Sequence, residues 1–121
     1  VIEKATPIQL MPLRDALRDF ARQRDWDQFH TPRNLATALA VEAAELLEHF
    51  QWLQDDDVEK FDERKRESVG EELADVLLYL VRLADKLDLD LAAVAVRKLE
   101  LNAAKYPVAL AKASSKKYTE F

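Results

Sequence analysis

Apolar residues recur at spacings of three and four along most of the chain, with polar residues between them, which is the period of amphipathic α-helices. Leu13, Leu17 and Phe20 mark the face of a first helix, opened by Pro12 in its first turn and running to about Arg24. After "RDWDQFH", Thr31 can cap and Pro32 can open a second helix reaching about Trp52, with Leu35, Leu39, Leu46, Phe50 and Leu53 on one stripe. The acidic run "QDDD" reads as a loop whose aspartates favour the N-terminus of a third helix. That helix runs to about Lys86, and Gly70 predicts an irregular first part. Val69, Val76, Leu80, Leu83 and Leu87 set one stripe on it, while Leu73, Leu77, Val81 and Ala84 set another, so it is predicted to be buried nearly all round. Asp88 or Asp90 caps a fourth helix that continues to about Tyr106, just before Pro107. The pattern predicts an all-α fold, a four-helix bundle with a long central pair.

Four acids break this pattern. At about 100° per residue, Glu42 falls in the middle of the apolar stripe of the second helix and Glu45 at its edge. On the third helix Glu72 lies beside Val76 and Leu83, with Asp75 one turn along and Tyr79 a further turn on the same side. Ionised carboxylates are costly to remove from water, and four converging inside a bundle raise one another's pKa unless cations compensate. A Glu-x-x-Glu pair on one helix is commonly a solvated face; two such pairs on apolar stripes of adjacent helices point to a divalent cation. Oxygen-only ligands favour Mg²⁺ or Mn²⁺ over Zn²⁺.

The fourth helix carries the opposite sign: Lys98, Asn102 and Lys105 share a stripe with Leu91 and Ala95. Lysine stems often snorkel along apolar surface, but cations facing the acids would suit a metal-bound polyphosphate. Trp26, Phe29 and His30 precede the second helix, Trp52 ends it, and Tyr79 sits on the third; Trp26 and Trp52 could stack a base.

Composition narrows the ligand classes. With 121 residues, 49% hydrophobic and 34% charged, the chain is long enough for one domain with its own core. It has no cysteine, so disulfides and thiolate metal sites are excluded. A net charge of −5 argues against a nucleic-acid polymer as ligand. The absence of a long apolar run or a signal-like N-terminus leads us to expect no membrane partner and a cytoplasmic location.

Together, "RDWDQFHTPRNLATALAVEAAELLEHFQW", "EELADVLLYLVRLADKLDLDL", "KLELNAAKYP" and "SSKKYTEF" resemble the MazG-like all-α nucleoside triphosphate pyrophosphohydrolases, and within them the dCTP pyrophosphatase group. The resemblance covers roughly residues 10–121, dividing the chain into an extension at 1–9, a helical domain at 10–113 and a basic tail at 114–121. It implies Mg²⁺ held by Glu42, Glu45, Glu72 and Asp75, which would also be the catalytic carboxylates. It implies a nucleotide pocket built from Trp26, Asp27, Gln28, Phe29, His30, Trp52 and Tyr79, with Lys98 and Asn102 contacting phosphate or sugar. The implied reaction cleaves a dNTP between its α- and β-phosphates, giving dNMP and pyrophosphate, with dCTP or a modified dCTP as substrate. The implied assembly is a homodimer or homotetramer. The chain departs from the family pattern at Leu17, where relatives often carry a histidine, and at His49, where they carry an apolar residue.

Two other readings compete. A di-iron carboxylate bundle needs Glu-x-x-His pairs, and the residue three before His49 is Leu46, so that pattern fails. A non-catalytic interaction module would pair its buried acids with Lys98, Lys105 or Arg82 across the bundle.

Overall fold

The computed structural model describes residues 9–120, so most of the extension expected at 1–9 lies outside the described residues. Every regular element among them is helical: α1 (Met11–Gln23), α2 (Pro32–Glu48), α3 (Glu63–Lys86), α4 (Leu91–Lys105) and a short α5 (Val108–Ala111). Single 3₁₀ segments lie at Asp27–Phe29, Asp55–Lys60 and Tyr118–Glu120. The all-α expectation holds, and no described helix is long and apolar enough to cross a membrane.

Short polar side chains set the helix starts by accepting otherwise orphaned backbone N–H groups. Thr31 accepts from Asn34, with Pro32 opening α2. Asp62 accepts from Lys65 at α3, and Asp90 accepts from Ala93 at α4. Asp88 is not the cap. It adopts a left-handed conformation, φ 55°, which an aspartate tolerates better than most residues.

Three expectations are corrected. The second helix ends at Glu48 rather than Trp52, because bonds three residues back interrupt the ladder: His49 to Leu46 at 3.2 Å, Phe50 to Leu47 at 2.9 Å and Leu53 to Phe50 at 3.0 Å, although Gln51 still reaches four back to Leu47 at 2.9 Å. The acidic run folds on itself into the 3₁₀ segment, closed by a reciprocal bond set between Gln54 and Asp57, so Asp62 rather than Asp55–Asp57 serves the α3 N-terminus. Gly70 leaves α3 regular, an unbroken helix of 24 residues.

Residues 10–89 form one compact unit, and the chain from Asp90 onward belongs to a second. Within the first, α1 and α2 both pack on α3, with Ala21, Leu35, Val81 and Ala84 at the buried centre. The α3 helix is not buried all round in the single chain: Val81 and Ala84 are enclosed, but Leu73, Leu77 and Leu80 stay exposed. The difference follows from where α1 lies. It lies against the side of α3 that carries Asp85, which bonds Arg18, and leaves the Leu73, Leu77 and Leu80 stripe open. In the second unit α4 closes with the Tyr106 N–H bonded to the Asn102 carbonyl at 2.9 Å, and Pro107 then starts the turn into α5.

Gly70 is exposed inside α3, and a Cβ placed there would meet nothing within 4 Å. Gly70→Ala is therefore predicted to stabilise the protein by about 0.5–1 kcal/mol, read from urea midpoints at constant m-value. A destabilised variant would show that the glycine serves something other than the helix.

Candidate active site

Packing α2 on α3 brings Glu42, Glu45 and Glu72 together, each half-buried, with one carboxylate oxygen from each lying within 4.8 Å of the other two. Glu42 Oε2 and Glu72 Oε2 are fully shielded from solvent and meet no hydrogen-bond donor. An ionised carboxylate only accepts, so these oxygens can be satisfied by a shared proton or by a cation. Without a cation the proton is held tightly. A hydrogen bond to Glu72, burial and the nearby Glu45 push Glu42 up from 4.5 to about 7. For Glu72 the shared bond to Glu42 pulls downward, while burial and the charges of Glu45 and Asp75 push upward and prevail. The donor set fits a hard divalent cation.

Asp75, one turn along α3 from Glu72, falls outside that trio. It lines instead a neighbouring cavity of about 210 Å³. Leu17, Phe20 and Leu78 form the apolar wall of this cavity, Trp26 and Tyr79 supply aromatic faces, and His30 and Arg82 supply polar groups. The turn after α1 shapes it. Asp25 takes φ 54°, letting the Trp26 N–H return to the Ala21 carbonyl at 2.9 Å, and the Trp26 ring packs edge-on against Phe20 with centroids 5.8 Å apart. His30 lies 6.4 Å from Trp26, centroid to centroid.

The other residues singled out in the sequence occupy varied places. The Asp27 carboxylate bonds Lys86 at 2.6 Å and also pairs with Arg82; these bonds hold its pKa below the ordinary value. The Gln28 amide donates to the Asp25 carbonyl at 3.0 Å, and the Phe29 ring is exposed while its carbonyl accepts from the Asn34 side chain at 2.9 Å. Trp52 is 86% exposed in the turns after α2 and does not line the cavity with Trp26 and Tyr79. Lys98, exposed, and Asn102, half-buried, sit one turn apart on α4 in the second unit.

The MazG-like family model matches residues 37–121, which run from within α2 through α3 and α4. The chain belongs to the MazG-like family. It is 45% identical over 113 residues to the dCTP pyrophosphatase 1 of Homo sapiens, covering 92% of this chain and 66% of that protein. It is 42% identical over 124 residues to the dCTP pyrophosphatase 1 of Mus musculus, covering 96% of this chain and 73% of that protein. The chain thus spans about two-thirds of the length of the curated relatives it matches. Among solved structures, a pyrophosphatase from Archaeoglobus fulgidus DSM 4304 superposes with a TM-score of 0.76 at 41% identity, covering 85% of this chain and 96% of that one.

Sequence reasoning named Arg82 only as a possible partner of buried acids and missed its place at the centre of the polar network in this MazG-like chain. Arg82 is only 5% exposed and reaches His30, Asp27 and Asp85 together. Asp85, held ionised first by its bond to Arg18, and Lys86 complete the set. The available signal was an arginine inside the apolar run "LYLVRLAD", with an aspartate three residues on. Arg82 is thereby committed to partners other than Glu42 and Glu72, which removes it from the acid pairing that a purely structural module requires.

The Glu42 shift fixes the sign of a pH effect. The folded, metal-free protein binds this proton more tightly than the unfolded chain, so the stability it contributes is complete below about 4.5 and is lost as pH rises through about 7. A divalent cation competes for the same oxygens, so its stabilising effect should run the opposite way and grow as pH rises through about 7. Glu42→Gln is predicted to melt above the wild type in metal-free buffer on the alkaline side of that range, and to lose the gain that Mg²⁺ gives the wild type. Scanning calorimetry with and without Mg²⁺ checks both; a variant that keeps the full Mg²⁺ gain refutes the assignment.

Proposed function

We propose that the chain is a Mg²⁺-dependent nucleoside triphosphate pyrophosphohydrolase that cleaves a dNTP, dCTP or a modified dCTP, to dNMP and pyrophosphate in nucleotide-pool control. The observation that carries this reading is the pair of shielded oxygens without donors, Glu42 Oε2 and Glu72 Oε2, one helical turn from a cavity walled by aromatic side chains. A charge trap for cations beside an apolar, π-faced slot suits a ligand that is polyanionic at one end and a flat base at the other. The relatives named dCTP pyrophosphatase 1 support the same reading.

In this scheme Glu42, Glu45 and Glu72 hold the metal, with Asp75 joining them from the cavity side. Bound Mg²⁺ would supply Lewis-acid polarisation of the α-phosphate and a lowered pKa for the attacking water. The carboxylates orient that water and accept its proton, a role open to Glu42 or Glu45. Trp26, His30 and Tyr79 receive the base, with Asp27, Gln28 and Phe29 forming the turn that carries them and Trp52 available to close over it. Lys98 and Asn102 offset charge on the leaving pyrophosphate or contact the sugar.

The proposed assembly is a homodimer or homotetramer in the cytoplasm. Leu73, Leu77 and Leu80 form an exposed stripe on α3, and Val41 and Leu47 add exposed apolar area on α2, an amount of apolar surface that commonly marks an interface.

The decisive experiment measures pyrophosphate release from each dNTP with and without Mg²⁺. We expect release only with the metal, and a loss of about 100-fold or more in kcat/KM for Glu72→Gln. Full activity of that variant would sink the metal assignment, and no release from any dNTP would sink the function.

A further inference from the structure

The polar end of the cavity has a fixed hydrogen-bond polarity. Arg82 Nε lies 3.1 Å from His30 Nδ1, and a guanidinium N–H only donates, so Nδ1 accepts and the imidazole proton resides on Nε2. The guanidinium is held in that position from its other side by Asp27 and, at 3.4 Å, by Asp85. Among the described residues no protein group meets Nε2, so the ring edge left for a ligand carries a donor. Burial, followed by the charges of Arg82 and Lys86 against that of Asp27, lowers the His30 pKa and keeps the ring neutral.

We propose that Arg82 is a positioning residue that locks His30 in the Nε2–H tautomer, so that the cavity selects a nucleobase presenting an unprotonated ring nitrogen there. This rests on the nucleotide reading of the cavity given above. A donor at that edge complements cytosine, whose N3 is an acceptor, and opposes thymine or uracil, whose N3 carries a proton. A mismatched base leaves two donors facing one another without partners, which is where hydrogen-bonding sites gain their discrimination. The opposite tautomer would present an acceptor and invert the preference. Leu17 and Leu78 are apolar, and the other polar side chains lining the cavity are Asp75 and Tyr79.

Nitrogen-15 spectra of the imidazole groups test the lock directly. The chain has two histidines, and His49→Gln assigns the remaining signals to His30. The wild type should show His30 as the Nε2–H tautomer before any nucleotide is added; an Nδ1–H ring or an even mixture overturns the proposal. Arg82→Lys keeps the charge but loses the Nε donor, so His30 should become a tautomer mixture. The ratio of kcat/KM for dCTP over dTTP should then fall at least about tenfold, mainly through KM for dCTP. If that variant does not fold, Asp27→Asn releases one hold on the guanidinium from an exposed position and should move both readouts in the same direction. Dissimilar outcomes separate the two readings. A wild type that hydrolyses no dNTP overturns the nucleotide reading and the selectivity with it. A wild type that hydrolyses dNTPs, combined with an Arg82→Lys variant of unchanged selectivity, overturns this inference alone.

Discussion

Two carboxylate oxygens facing each other between α2 and α3, on Glu42 and Glu72, are what the rest of the candidate site depends on. Both are withdrawn from water, neither meets a donor, and Glu45 stands within reach of both. A fold that pressed such groups together without use for them would lose stability at neutral pH, because each shielded carboxylate must either give up hydration or take a proton. Glu42 answers by shifting to about 7, which leaves it close to the point where a divalent cation can displace the proton. The helix packing that creates this tension also sets Asp75 and Tyr79 one and two turns along α3, in the lining of the aromatic cavity.

The same helix resolves its charges in the opposite way farther on. Asp85 is held below the ordinary carboxylate range by Arg18 and then Arg82, and Asp27 by Lys86 and then Arg82. There each acid has a cation, and the buried guanidinium of Arg82 spends its donors on three partners drawn from α3 and the turn before α2. Breaking such a cluster is costly because it leaves a buried charge without a partner. One stretch of α3 thus has its acids paired with cations, while the preceding turns carry a shielded carboxylate oxygen that meets no donor. A binding site needs both: a frame that does not rearrange and a set of groups whose demand is unmet until the ligand arrives.

Much of this was legible in the chain. The period of the apolar residues gave the helices, Thr31 and Asp90 were readable as caps, and Glu42 and Glu72 stood out because they occupy positions where the period demands a core residue. The end of α2 was not legible, since apolar Phe50 and Leu53 continue the stripe while the backbone has already tightened to bonds three residues apart. Nor was the fate of Trp52, whose chemistry resembles that of Trp26 but whose place in those turns leaves it exposed. The exposed stripe at Leu73, Leu77 and Leu80 reads in sequence as core, because periodicity reports that a face is apolar and not what covers it.

What the sequence determined by itself was therefore local and periodic: helix type, most caps, and which acids lie on an apolar face. Tertiary structure decided which of those acids meet. It placed Glu45 with Glu42 and Glu72 and turned Asp75 toward the cavity, although the i, i+3 spacing treats the two helices alike. It also made Arg82 the partner of His30 across 52 residues of chain, a pairing no spacing rule contains. The reason is physical: helical period fixes directions around one axis, whereas the distance between two side chains on different elements is set by how those axes pack.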